Sequence, residues 1–96
     1  MPHRIRLGPP WDVSPLGDGR TRHARRFGRP RTHDTSERIW LVAELPEGSE
    51  VSLNGDTLDA EANFAADVTD RLLPRNEIVF VVPNDAAPVG VAIEIR

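Results

Sequence analysis

Branched apolar side chains recur at every second position of Val89-Gly90-Val91-Ala92-Ile93-Glu94-Ile95-Arg96, with Gly, Ala, Glu and Arg between them. A period of two puts each set on its own face of an extended chain, which predicts a strand with one face in a core. Glu77-Ile78-Val79-Phe80-Val81-Val82 is apolar at nearly every position, as in a strand covered on both faces or central in its sheet. Ile39-Trp40-Leu41-Val42-Ala43-Glu44-Leu45 reads the same way, ended by the turn residues Pro46-Glu47-Gly48. Both readings place Trp40 and Phe80 in the core. Glu50-Val51-Ser52-Leu53 alternates and runs into Asn54-Gly55, a pair that accepts the positive φ angles of a tight hairpin; Thr57-Leu58 then returns beside it. A further extended piece, Ala62 to Val68, sets Ala62, Phe64, Ala66 and Val68 on one face. Thr69 is expected to N-cap a short turn at Asp70-Arg71-Leu72-Leu73, which Pro74 keeps from growing into a helix. Residues 14–24 and 30–37 carry no period and are rich in Gly, Arg, Thr, Asp and Ser, which predicts loops.

Nine prolines and seven glycines fall mainly between the apolar runs, a punctuation hostile to long helices. With 96 residues and 39% hydrophobic content, the chain suffices for one core and not for two. The expected architecture is a single all-β sandwich over residues 1–96, with about eight short antiparallel strands. The lack of cysteine excludes disulfides and thiolate metal sites without deciding the compartment. No apolar stretch approaches the ~20 residues of a membrane span, and no signal-peptide core follows the basic start. No membrane partner is therefore expected, and if Met1 is the true start the expected location is cytoplasmic.

The formal charge of −3 hides an asymmetry: nine arginines and four acids precede Ile39, whereas three arginines and eleven acids follow from it. The two halves attract each other within one fold as readily as they attract an outside partner. Arg20, Arg22, Arg25, Arg26, Arg29 and Arg31 form the densest basic run, and guanidinium forks suit phosphate, sulfate and carboxylate. Net negative charge and the lack of interleaved aromatics speak against nucleic acid.

The order of these signals resembles the N-terminal sugar-binding domain of family 2 glycoside hydrolases, a galactose-binding-like jelly roll. Gly8-Pro9-Pro10-Trp11-Asp12-Val13, Arg25-Arg26-Phe27-Gly28-Arg29-Pro30 and Arg38-Ile39-Trp40-Leu41-Val42 carry the first part. Val51-Ser52-Leu53-Asn54-Gly55, Phe64-Ala65-Ala66-Asp67-Val68-Thr69-Asp70-Arg71-Leu72-Leu73, Asn76-Glu77-Ile78-Val79-Phe80-Val81 and the strand from Val89 to Ile95 carry the rest. The chain is shorter than the usual domain and lacks the accompanying catalytic barrel. The resemblance implies an architectural, non-catalytic module, with no catalytic residue to carry over and no fixed ligand.

Candidate chemistry is sparse. Asp67 and Asp70 have the spacing of an acid pair, but flanking a turn they are expected to accept backbone N–H groups. His3, His23 and His33 are too scattered for a metal site, and Ser14, Ser36, Ser49 and Ser52 lack a nucleophile context. No cofactor motif is present and none is expected. Trp11 follows Gly8-Pro9-Pro10 outside any strand pattern, so it either plugs one end of the sandwich or presents its ring to a ligand. Ligand contact is accordingly expected at Trp11 and at Arg20, Arg22, Arg25, Arg26 and Arg29. Two functions remain open, a carbohydrate-binding module and a structural or protein-interaction module, with polyanion binding by the arginines a weaker third and catalysis not expected.

Overall fold

The computed structural model describes residues 3–33 and 35–96. Among them are nine strands and no helix: β1 His3–Arg6, β2 Asp12–Pro15, β3 Arg20–Gly28, β4 Ile39–Glu44, β5 Glu50–Leu53, β6 Asp56–Leu58, β7 Asn63–Asp67, β8 Arg75–Pro83 and β9 Val89–Ile95. They form two antiparallel sheets, β1-β9-β4-β7 and β2-β3-β8-β5-β6. Setting aside the short edge strand β2, this is the strand order of an eight-stranded jelly roll.

The inner faces follow from register. Ile39 and Leu41 lie opposite Ile95 and Ile93 in the first sheet, and Val51 and Leu53 lie opposite Phe80 and Ile78 in the second. All eight are buried, and Phe64, Val68, Val82 and Val91 belong to the core cluster with all of them but Ile95. The Asn54-Gly55 hairpin forms as expected, with Leu53 facing Asp56 and φ angles of 52° and 87° at the two turn residues. Such paired positive angles define the turn that suits twisted strands.

Three expectations are corrected. Residues 14–24 are not a loop: they contain the end of β2 and half of β3, joined by a short turn with Gly17 and Gly19 at positive φ. The strand period was hidden because the inward positions of β3 include Thr21, His23 and Arg25, which face Val82, Phe80 and Ile78, before Phe27. Trp40 is not in the core. Register with Glu94 and Asp67 turns it to the outer face, half-buried under the Arg96 guanidinium 4.5 Å from the ring centroid. A run apolar at every position leaves the inward set ambiguous, and the pairing of Ile39 and Leu41 decides it. Thr69 caps no turn of its own; its hydroxyl accepts the Ile39 N–H at 2.8 Å and donates to Asp67 at 2.7 Å, tying the end of β7 to the start of β4.

Candidate functional site

Residues 7–11 cross from the first sheet to the second. Leu7 is buried and donates its N–H to the Val91 carbonyl at 2.9 Å, which fixes the start of the crossing. Its own carbonyl accepts the Trp11 indole N–H at 3.3 Å. The Trp11 ring packs on Phe80 with centroids 6.0 Å apart and is half-buried. On the other side of the crossing runs the β8–β9 connection, and the two segments enclose a cleft of about 370 Å³ at the open β1/β2 edge of the sandwich. Leu7, Trp11, Val13 and Pro88 give it apolar walls, with Arg6 and His23 among the polar groups. Its size lies near the lower end of the ~300–1,000 Å³ of small-molecule sites.

The electrostatics of the cleft are set by what is missing from it. Among the described residues, no carboxylate lines it. Asp12 follows Trp11 but pairs with Ala24, a register that turns it to the outer face. The His23 Nε2 is buried without a hydrogen-bond partner, and burial lowers the imidazole pKa, so the ring is neutral near pH 7. Arg6 is exposed and, among the described residues, makes neither an ion pair nor a side-chain hydrogen bond.

The expected arginine run is divided between four places. Arg20, Arg22 and Arg26 lie on the outer face of β3, as their pairing with Pro83, Val81 and Glu77 requires. Arg20 meets Asp18 at 2.8 Å and Glu50 at 3.0 Å, while Arg22 and Arg26 share Glu77 at 3.5 and 3.8 Å. These pairs set the arginines against Glu50 and Glu77 of the second half of the chain and Asp18 of the first, at exposed sites where each contributes little. Arg25 is on the inner face, with Nε donating to the Gly8 carbonyl at 2.6 Å and Nη1 to the Arg26 carbonyl at 2.5 Å. Arg29 donates to the Thr69 and Leu72 carbonyls at 2.9 and 3.2 Å and so pins the turn after β7. Arg31 is exposed in the long β3–β4 connection. Of the six, Arg25 is the one bonded to a residue of the Trp11 cleft.

Asp67 and Asp70 do come together, but on Arg38. That guanidinium and Thr69 hold the Asp67 carboxyl at a pKa of about 2, suited to a fixed anion and not to a proton donor at neutral pH. The three histidines stand apart, in β1, in β3 and in the β3–β4 connection. Ser49 donates to the Pro46 carbonyl and has no basic partner. A wider depression of about 510 Å³ lies between Arg26, Asn54, Arg75 and Glu77, but its two amides are engaged with each other and with the backbone.

Sequence reasoning missed Arg6 and His23 as cleft residues. Arg6 ends a strand too short to show a period. His23 owes its position to the register of β3 against β8, which no local pattern reveals.

No family model matches this sequence, and no curated protein matches it. Among solved structures, the chain is similar to the crystal structure of an FMN-binding β-glucuronidase from Facaelibacterium prausnitzii L2-6, with a TM-score of 0.74 and 19% identity. The match covers 99% of this chain and 22% of that one. The chain thus spans less than a quarter of its structural neighbour, and the likeness is one of fold: a β-sandwich of the kind present within a glycoside hydrolase.

Proposed function

We propose that this chain is a non-catalytic carbohydrate-binding module of galactose-binding-like type that takes a sugar ring in the Trp11 cleft. The observation that carries this reading is the cleft itself. It is a concave, apolar-walled site of single-ring size that joins an indole face to a small number of polar groups, the composition expected of a small-ligand site. Occurrence of the same sandwich fold within a β-glucuronidase supports a carbohydrate context by analogy. The assignment as non-catalytic rests on the carboxylates: the one close Asp pair is occupied by Arg38, and the cleft has none.

A second reading, protein docking, is favoured by Trp40. It lies on the outer face of the first sheet, where the small apolar residues Val42, Ala65 and Ala92 share its side. The chain has two tryptophans, so their indole N–H resonances separate the readings. Titration with neutral and acidic mono- and oligosaccharides should move the Trp11 indole peak saturably and leave the Trp40 peak in place. If no saccharide moves the Trp11 peak, the carbohydrate reading fails and docking through the Trp40 face becomes the better account.

A further inference from the structure

We infer that the sugar bound in the Trp11 cleft is acidic, carrying a carboxylate that pairs with Arg6; this rests on the carbohydrate reading above. The argument is one of uncompensated charge. The chain has more acids than arginines, and of the seven arginines in its strands four, Arg4, Arg20, Arg22 and Arg26, are matched to carboxylates. The cleft departs from that rule. Arg6 lines it without an ion pair. Arg25 bonds to the carbonyl of Gly8, another lining residue, and its charge is met by backbone carbonyls with no carboxylate among the described residues. Arg4 reaches the carbonyl of Gly90, also in the lining, at 3.3 Å, while sharing Glu94 with Arg96.

Arg6 therefore lines a site that, among the described residues, no carboxylate lines, while Arg4 and Arg25 hydrogen-bond to carbonyls of its lining residues, and the potential there favours an anion. Arg25 and Arg4 are committed to fixed carbonyls. Arg6 retains its planar fork of donors, which matches a carboxylate in bidentate geometry. The apolar walls and the Trp11 ring then hold the body of the ligand, which distinguishes an acidic sugar from a free anion. His23, neutral, adds no charge.

The test compares glucuronate and galacturonate with glucose and galactose, and with acetate as the anion alone, reading the Trp11 indole peak at low and moderate salt. The uronates should bind about tenfold more tightly than their neutral parents, and added salt should narrow that margin. Arg6→Gln, a change at an exposed position, should keep the thermal midpoint while removing the uronate preference. Equal binding of neutral and acidic sugars overturns the inference and leaves the carbohydrate reading standing, as does a preference that survives Arg6→Gln. Acetate binding as tightly as the uronates would reduce the site to an anion site and overturn it too. If no sugar moves the Trp11 peak, both proposals fall.

Discussion

Asp67 accepts hydrogen bonds from Arg38 Nε at 2.8 Å, from the Thr69 N–H at 3.0 Å and from the Thr69 hydroxyl at 2.7 Å. Its pKa falls from 3.8 to about 2, the Arg38 hydrogen bond being the largest cause. A carboxyl whose folded pKa is depressed adds stability that is present above 3.8 and lost as the pH falls through about 2. The Arg38 side chain is 44% exposed, so solvent screening keeps the contribution to about 1 kcal/mol. Asp67→Asn should therefore lower stability by about that amount at pH 7, and the difference from the parent should close near pH 2, measured by urea denaturation at both pH values. The turn role of this aspartate was legible in the sequence, because a carboxylate beside Thr69 has backbone N–H groups within reach. Its arginine was not, since Arg38 approaches only when β4 and β7 pair.

Two turns depend on one buried amide between elements. Asn76, at 4% exposure the one buried polar residue among those described, donates to the Leu73 carbonyl at 2.8 Å and accepts the Leu73 N–H at 2.8 Å. Its Oδ1 also accepts the Asn54 amide at 2.9 Å, while Asn54 takes the Glu77 N–H. The β5–β6 hairpin and the turn before β8 are thereby joined through side chains. Asn76→Ala would leave several of these groups unpaired, and the expected loss is about 2–3 kcal/mol, seen as a fall of about 10–20 °C in thermal midpoint. Hairpin formation at Asn54-Gly55 could be read from two residues; its bond to Asn76 could not, because it depends on where β8 starts. The same distinction explains β3. Its partner β8 advertises itself by an unbroken apolar run, whereas β3 is a strand by virtue of pairing with it over nine residues, with polar side chains at both its inner and outer positions.

At the scale of the molecule, Phe80 is the centre. It is fully buried on the central strand β8, with Trp11 and Phe64 rings at 6.0 and 6.3 Å. Phe80→Ala should cost about 3–5 kcal/mol, a large part of the ~5–15 kcal/mol available to a small domain, and should abolish most of the cooperative thermal transition at 37 °C and above. The same change removes the support behind Trp11, so the core also holds up the proposed sugar cleft. Alternation and apolar runs in the sequence are enough to show the all-β class and most of this core. The cleft was less legible because it is made where two crossings meet the open edge, and its residues are distant in sequence.

The pairing of β1 with β9 sets His3 opposite Ile95, so the described chain enters and leaves the sandwich side by side. Such a fold has the geometry of a cassette. Its two ends can be joined by a short linker and new ends opened at the exposed Glu47-Gly48 turn, or the whole unit can be spliced into a surface loop of a host protein without prying that loop apart.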